Sequence, residues 1–299
     1  MAPAVAKHGA DPWGVRREGR DLLVAITGGA IVGMPLLFTM EMWLHGMLLG
    51  PTQQLAMLFG TLVVNLLFSI VSGFRHEYGV KSALLESVSA VGIGLSFSAL
   101  VLWLVGEIGP ADAWGEITGK VLFQTSAVSI GVSVADAHVR GKQRAGDDQE
   151  KGDKRPEPRP APEQLESWQL RQDVRDITAT LIGAVVYSIN IGPTEEVVLI
   201  AGRLTPWQLA AVMLASLGLC YVILYASGIK DQPVHIPSLV QSPPAETVIT
   251  YAASLAVAMA MLGVLGEPES VGSVRDLAAS TIVLGLPTAV GGAAGRIAL

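Results

Sequence analysis

Eight stretches of apolar residues run along the chain, at 20–43, 54–74, 81–106, 116–137, 175–202, 206–229, 245–266 and 276–297. Each is near or above the ~20 residues that a helix needs to cross a bilayer. Charged residues lie almost entirely between these stretches, and the two-residue alternation of a membrane barrel is absent. A helix satisfies its own backbone hydrogen bonds within lipid. The pattern therefore predicts an all-α, polytopic membrane helix bundle with eight transmembrane helices.

Composition agrees. The 299 residues are 51% hydrophobic and 15% charged, where a soluble chain carries about 25% charge. The single cysteine, Cys220, rules out an intrachain disulfide framework and a cysteine-cluster metal site, and reads as a small apolar residue in mid-span. Residues 1–19 form a polar N-terminal segment. The apolar run after Arg20 exceeds a signal-peptide core and lacks a small-x-small cleavage site, so it reads as a retained first helix.

Charge position sets the expected topology. With the N-terminus inside, 17 Lys and Arg fall on the inner side, and only Lys120, Arg203 and Arg275 fall outside. This bias places both termini in the cytoplasm of a bacterial inner membrane. Trp13 and Trp168 then mark the inner boundary, and Trp43, Trp103, Trp114 and Trp207 the outer one. Residues 138–172 form the one long hydrophilic segment, with Pro156, Pro158, Pro160 and Pro162 and eight basic against seven acidic side chains. They read as a solvated cytoplasmic linker with polyproline-II character.

The two halves are related in sequence. A shift of 155 lays residues 20–75 on 175–230 without a gap and gives 13 identities in 56 positions. Arg20-Asp21 meets Arg175-Asp176, Gly28 meets Gly183, Thr39 meets Thr194, Glu41 meets Glu196, and Pro51 meets Pro206. After a five-residue insertion the shift becomes 160, pairing Glu86 with Glu246, Gly106-Glu107 with Gly266-Glu267 and Gly131 with Gly291. Two four-helix membrane repeats, 20–137 and 173–299, are expected on either side of the linker. An even helix count makes them tandem and same-orientation, related about an axis along the membrane normal.

The candidate chemistry centres on Gly192-Pro193-Thr194-Glu195-Glu196. An ionised side chain at mid-bilayer costs roughly 2.5–3.5 kcal/mol on insertion scales, and a proline removes a backbone donor. The repeat makes Thr39-x-Glu41 its counterpart, with Pro35 disturbing the first helix as Pro193 disturbs the second. Broken helices of this kind hold ions in transporters. Glu41, Glu195, Glu196, Thr39, Thr194 and Asn190 are thus candidate cation or proton ligands, with Pro35, Gly192 and Pro193 as helix breaks. The competing reading has both glutamates hydrogen-bonded and structural near the outer headgroups. Adjacent carboxylates also raise one another's pKa.

Glu86 and Glu246, near the inner starts of their helices, are secondary candidates for a second gate, or carboxylates that favour a helix's positive end. His45, four residues after Glu41, could share its face, but its spacing is diagnostic of no metal site. Asp136 aligns with Arg296 as a possible inter-repeat ion pair. Gly29-x-x-x-Gly33 and Gly291-x-x-x-Gly295 mark close helix packing. No phosphate loop, dinucleotide fingerprint, HExxH pair or nucleophile elbow is present.

Phe38-Thr39-Met40-Glu41-Met42-Trp43 and Pro193-Thr194-Glu195-Glu196 resemble an uncharacterised bacterial family of integral membrane proteins. That resemblance spans both repeats, roughly 20–298, and implies an inner-membrane protein without specifying an activity. The segment from Asn190 to Glu196 is more weakly similar to the Gly/Asn…Pro-Glu repeats of cation/calcium exchangers. Those repeats are inverted and five-helical, so no residue role carries over. A secondary transporter or ion-conducting protein leads the functional readings. An assembly or regulatory protein acting through the linker follows, then a membrane-embedded enzyme. The expected partner is the lipid bilayer, with a homo-oligomer left open and no nucleic acid. No cofactor is expected beyond a bound cation or proton.

These readings separate on the linker. A transporter should retain most of its flux in proteoliposomes when residues 147–162 are deleted, whereas a function exercised through the linker should be lost.

Overall fold

The computed structural model describes residues 15–73, 80–149, 165–226, 242–265 and 273–298. Most of residues 1–19 and part of the 138–172 linker lie outside them, as do Glu267 and Glu269. Ten α-helices follow in order: α1 (Val15–Leu37), α2 (Met40–Leu48), α3 (Pro51–Gly73), α4 (Val80–Leu104), α5 (Trp114–Gln149), α6 (Leu165–Ile191), α7 (Glu196–Arg203), α8 (Pro206–Tyr221), α9 (Pro243–Leu265) and α10 (Val274–Ala298). A π-helical turn, Val222–Ala226, continues α8. Among the described residues there is no strand, and eight helices are long and apolar enough to cross a membrane.

The apolar runs 20–43 and 175–202 do not form single perturbed helices. Each divides into a long helix and a short one, α1 with α2 and α6 with α7. Pro35 lies inside α1, two residues before its end, so the chain breaks just beyond the proline rather than kinking at it. Starts are easier to read. Pro206 follows Thr205, whose hydroxyl and Gln208 form a reciprocal capping box at the head of α8.

Helix neighbours match between the halves. α5 packs against α1, α2, α3 and α4, and α10 packs against α6, α7, α8 and α9. Small residues set the closest approaches. A methyl on Gly28 would lie 2.3 Å from the Gly131 carbonyl of α5, and one on Gly183 would lie 2.1 Å from the Gly291 carbonyl of α10. These two crossings join residues paired by the sequence shifts of 155 and 160. Within lipid, such backbone approach replaces hydrophobic collapse as the source of helix–helix contact. A core of Met34, Leu37, Phe38, Leu102, Ile200, Ile223 and their neighbours then joins the two halves.

Gly106, with φ 78°, adopts the left-handed conformation that ends α4. The turn brings Glu107 back under the bundle. There Arg203 pairs with it at 3.2 Å, and Lys120 Nζ donates to its carbonyl at 2.9 Å. Trp103, Trp114 and Trp207 are exposed, as interfacial residues should be, but Trp43 is buried. Its expected place in the outer aromatic belt is corrected below by its hydrogen bond.

Gly183→Ala and Gly28→Ala should each lower the thermal stability of detergent-solubilised protein, by about 1–3 kcal/mol of overpacking strain or more. Gly218→Ala should not, because a methyl there meets nothing within 4 Å. Thermal unfolding of the three variants checks this.

Candidate functional site

A helix that stops inside a bilayer leaves carbonyls without their usual donors. At the first break these are met one by one. Thr39 Oγ1 donates to Pro35 O at 3.1 Å. Gln124 Nε2 reaches from α5 to Leu36 O at 3.1 Å, which also accepts from Thr39 N at 3.2 Å. Trp43 Nε1 turns back to Leu37 O at 2.9 Å. The indole therefore faces into the bundle, where a buried carbonyl accepts from it, rather than outward as a belt residue would.

The second break uses its own residues. Gly192 N donates to Ser188 O at 2.6 Å, and Thr194 donates to Ile191 O through both its backbone N, at 3.1 Å, and its hydroxyl, at 2.7 Å. Asn190 Nδ2 donates to Val186 O at 2.7 Å. Gly192 leaves no room for a side chain, since a methyl would lie 2.7 Å from Ser188 O. The hydroxyls of Thr39 and Thr194 and the amide of Asn190 are thus engaged with carbonyls of their own helices.

One candidate carboxylate crosses between the halves. Glu196 is 6% exposed, and its Oε1 accepts from Met40 N at 2.9 Å. Met40 is the first residue of α2, so Glu196 caps a helix of the other half. It also occupies the first turn of its own helix α7. The positive ends of two short helices therefore favour negative charge at one side chain. Nearby, the Tyr187 hydroxyl donates to the Ile31 carbonyl, tying α6 to α1.

The other predicted ligands disperse. Glu41 is exposed, one residue past the Met40 amide that Glu196 holds, and its side chain does not join Glu196 in a buried pocket. The Glu41 carbonyl accepts from His45 Nδ1 at 2.6 Å, while the His45 ring stacks on Phe123 with centroids 5.9 Å apart. Glu195 and Pro193 are exposed, and Glu195 makes no side-chain capping bond at the head of α7. Among the described residues, no group of three His, Cys, Asp or Glu side chains is arranged to hold a metal ion.

The secondary candidates divide similarly. Glu86 accepts a long hydrogen bond from Ser82 Oγ at 3.4 Å. Glu246 belongs to a partly buried cluster at the opposite end of the second half. Arg296 pairs there with Asp176 at 2.7 Å and Glu246 at 3.0 Å, and donates to Thr250 Oγ1 at 2.9 Å. Tyr225 Oη donates to Glu246 Oε2. Asp176 and Glu246, both from its own half, thus hold Arg296. Sequence reading also missed Gln124 and Lys120. Their signal was present, as amide and ammonium groups inside the 116–137 apolar run.

Outside the spans, burial raises the Glu107 carboxyl above the usual carboxylate range, against the lowering pull of Lys120 and Arg203. A carboxyl raised in the folded state binds its proton more tightly there, so this group's contribution to stability falls as pH rises from the ordinary to the raised value.

A family model described as "Putative integral membrane protein (DUF2391)" matches residues 21–299. Neither a curated protein nor a solved structure matches the chain.

Trp43→Phe should cost about 1–3 kcal/mol, because it leaves the buried Leu37 carbonyl without its donor. Thr39→Val should cost less, since its hydroxyl bond is shorter in reach and partly exposed. Thermal unfolding in one detergent orders the two.

Proposed function

The chain belongs to that family of integral membrane proteins, and from this premise we propose that it is a secondary transporter or ion-conducting protein whose cation- or proton-responsive group is Glu196. The observation that carries the reading is the Glu196–Met40 contact. Discontinuous helices from both halves end beside one buried carboxylate, and that carboxylate is the bond between them. Transporters place their coupling sites where such half-helices meet. Two tandem, same-orientation repeats support the reading through their matched neighbours and their matched glycine crossings. On the Lys and Arg bias the termini face the cytoplasm.

The site proposed is narrower than a pair of glutamates. Glu41 and Glu195 are exposed while Glu196 is buried at the junction, so a single carboxylate is left to respond. Protonating it, or neutralising it with a cation, weakens the charge-assisted cap on α2 and loosens the contact between halves at that level. Loosening of this kind opens one side of a bundle while the packed glycine crossings hold the rest.

The amide in Glu196→Gln still accepts from Met40 N but neither titrates nor binds a cation well. Glu196→Gln should abolish pH- or cation-dependent flux in proteoliposomes while leaving thermal stability near wild type. Glu196→Ala should lose both. Wild-type flux in Glu196→Gln would reduce Glu196 to a structural cap and remove the assignment.

A further inference from the structure

The contact between the two halves is one-sided. α1 rests on α10, on the π turn that ends α8 and, at a few positions, on α6, and α4 meets α8. A two-fold arrangement would repeat these contacts with α6 against α5 and the end of α3, and α9 against α3. Among the described residues, no such packing of comparable extent is formed. The first half thus docks its α1 face into the second half, whereas the second half's α6 meets the first half only at α1, where Tyr187 donates to the Ile31 carbonyl.

Burial follows the same asymmetry. Met34 on α1 is 0% exposed, while its counterpart Ile189 on α6 is 52% exposed. Thr27 is fully buried, and its counterpart Ile182 is exposed. On the receiving side Val290 of α10 is 0% exposed, and its counterpart Ile130 of α5 is 37% exposed. Ile130 lines an open groove of about 290 Å³ between α3 and α5, with Met57, Gly60, Thr61, Val64 and Ser126. Thr61 and Ser126 place hydroxyls in its floor, bonded to each other at 3.0 Å. The first half therefore has an open receiving face, and the second half a docking face used only where α6 meets α1.

We infer that a second copy of this chain fills this groove, with its α6 seated between α3 and α5 as α1 is seated against the second half. The inference rests on the repeat relation proposed above and not on any role of Glu196 in transport. Halves that cross one bilayer the same way up are related by rotation about its normal. A one-sided contact repeated by such rotation closes into a ring within the membrane. The ring also gives Glu41 a partner. Glu196 caps Met40 within the chain, and the equivalent bond between chains runs from Glu195 N of one copy to the Glu41 carboxylate of the next. Both groups are positioned for it: Glu41 is exposed, and α7 lacks a side-chain cap.

Cross-linking in lipid nanodiscs and membranes tests this directly. Two differently tagged full-length chains, Leu67→Cys and Ile182→Cys, each also carrying Cys220→Ser, are co-expressed and treated with a short bis-maleimide. Leu67 is the counterpart of Val222 in the π turn, and Ile182 is exposed on α6. The expected result is cross-linking of Leu67→Cys to Ile182→Cys, and not of Leu67→Cys to itself. Gly60→Trp should abolish it by filling the groove, since a side chain at Gly60 meets nothing of its own chain within 4 Å. Glu41→Ala should weaken association about tenfold or more, the worth of a charge-assisted hydrogen bond. A monomer at every protein-to-lipid ratio would overturn the inference. So would cross-linking of Leu67→Cys to itself, or an equal yield from the exposed α8 residue Leu214 as Leu214→Cys. Labelling of Ala113→Cys and Ser273→Cys by an impermeant maleimide tests the repeat relation separately. Labelling from one side with no oligomer would sink the ring alone, and labelling from opposite sides would sink the repeat on which it rests.

Discussion

Backbone hydrogen bonding in lipid is the constraint on which this structure depends. An unbroken helix meets it locally, and eight apolar runs could have done so throughout. Two of them do not, and each interruption leaves carbonyls without their helical donors. The bundle answers with specific donors: Gln124 from α5, the indole of Trp43, and the hydroxyls of Thr39 and Thr194. Positions that look like an aromatic belt or a ligand set in the sequence are thus committed to the backbone. The same accounting makes Glu196 conspicuous, because its bond reaches the other half rather than its own helix.

Packing around the breaks uses the other currency available in a membrane, close approach. Gly28 with Gly131, and Gly183 with Gly291, let α5 and α10 run against their partners at backbone distance. The junction between halves has a different character, with large apolar side chains around a few polar ties: Glu196 to Met40, Tyr187 to Ile31, and Arg203 to Glu107. The one-sidedness of that junction suits association with a further copy.

The sequence was informative about much of this and misleading about some of it. Eight apolar spans, and the neighbourhood in which two of them are interrupted, were legible, because apolar length and proline are local signals. The alignment of Glu41 with Glu196 misled in one respect. Positions that align in sequence need not have equivalent surroundings, and a one-sided junction buries Glu196 while leaving Glu41 exposed. The Arg296 cluster is a second case, because Asp176 and Glu246 become its partners only where α6 and α9 bring them within reach.

By itself the sequence determined that this is a membrane-spanning helical protein with eight crossings, since the cost of apolar surface in water and of charge in lipid is paid residue by residue. It also marked, through Pro35 and Gly192-Pro193, the neighbourhood in which two of them are interrupted. Tertiary structure alone decided what each break is for, because a freed carbonyl or a buried carboxylate acquires its role from the group that another helix brings to it. Glu196 and Glu41 have the same side chain in the same local frame. One meets the amide of Met40 and the other does not, and only the packing of one half on the other makes that difference.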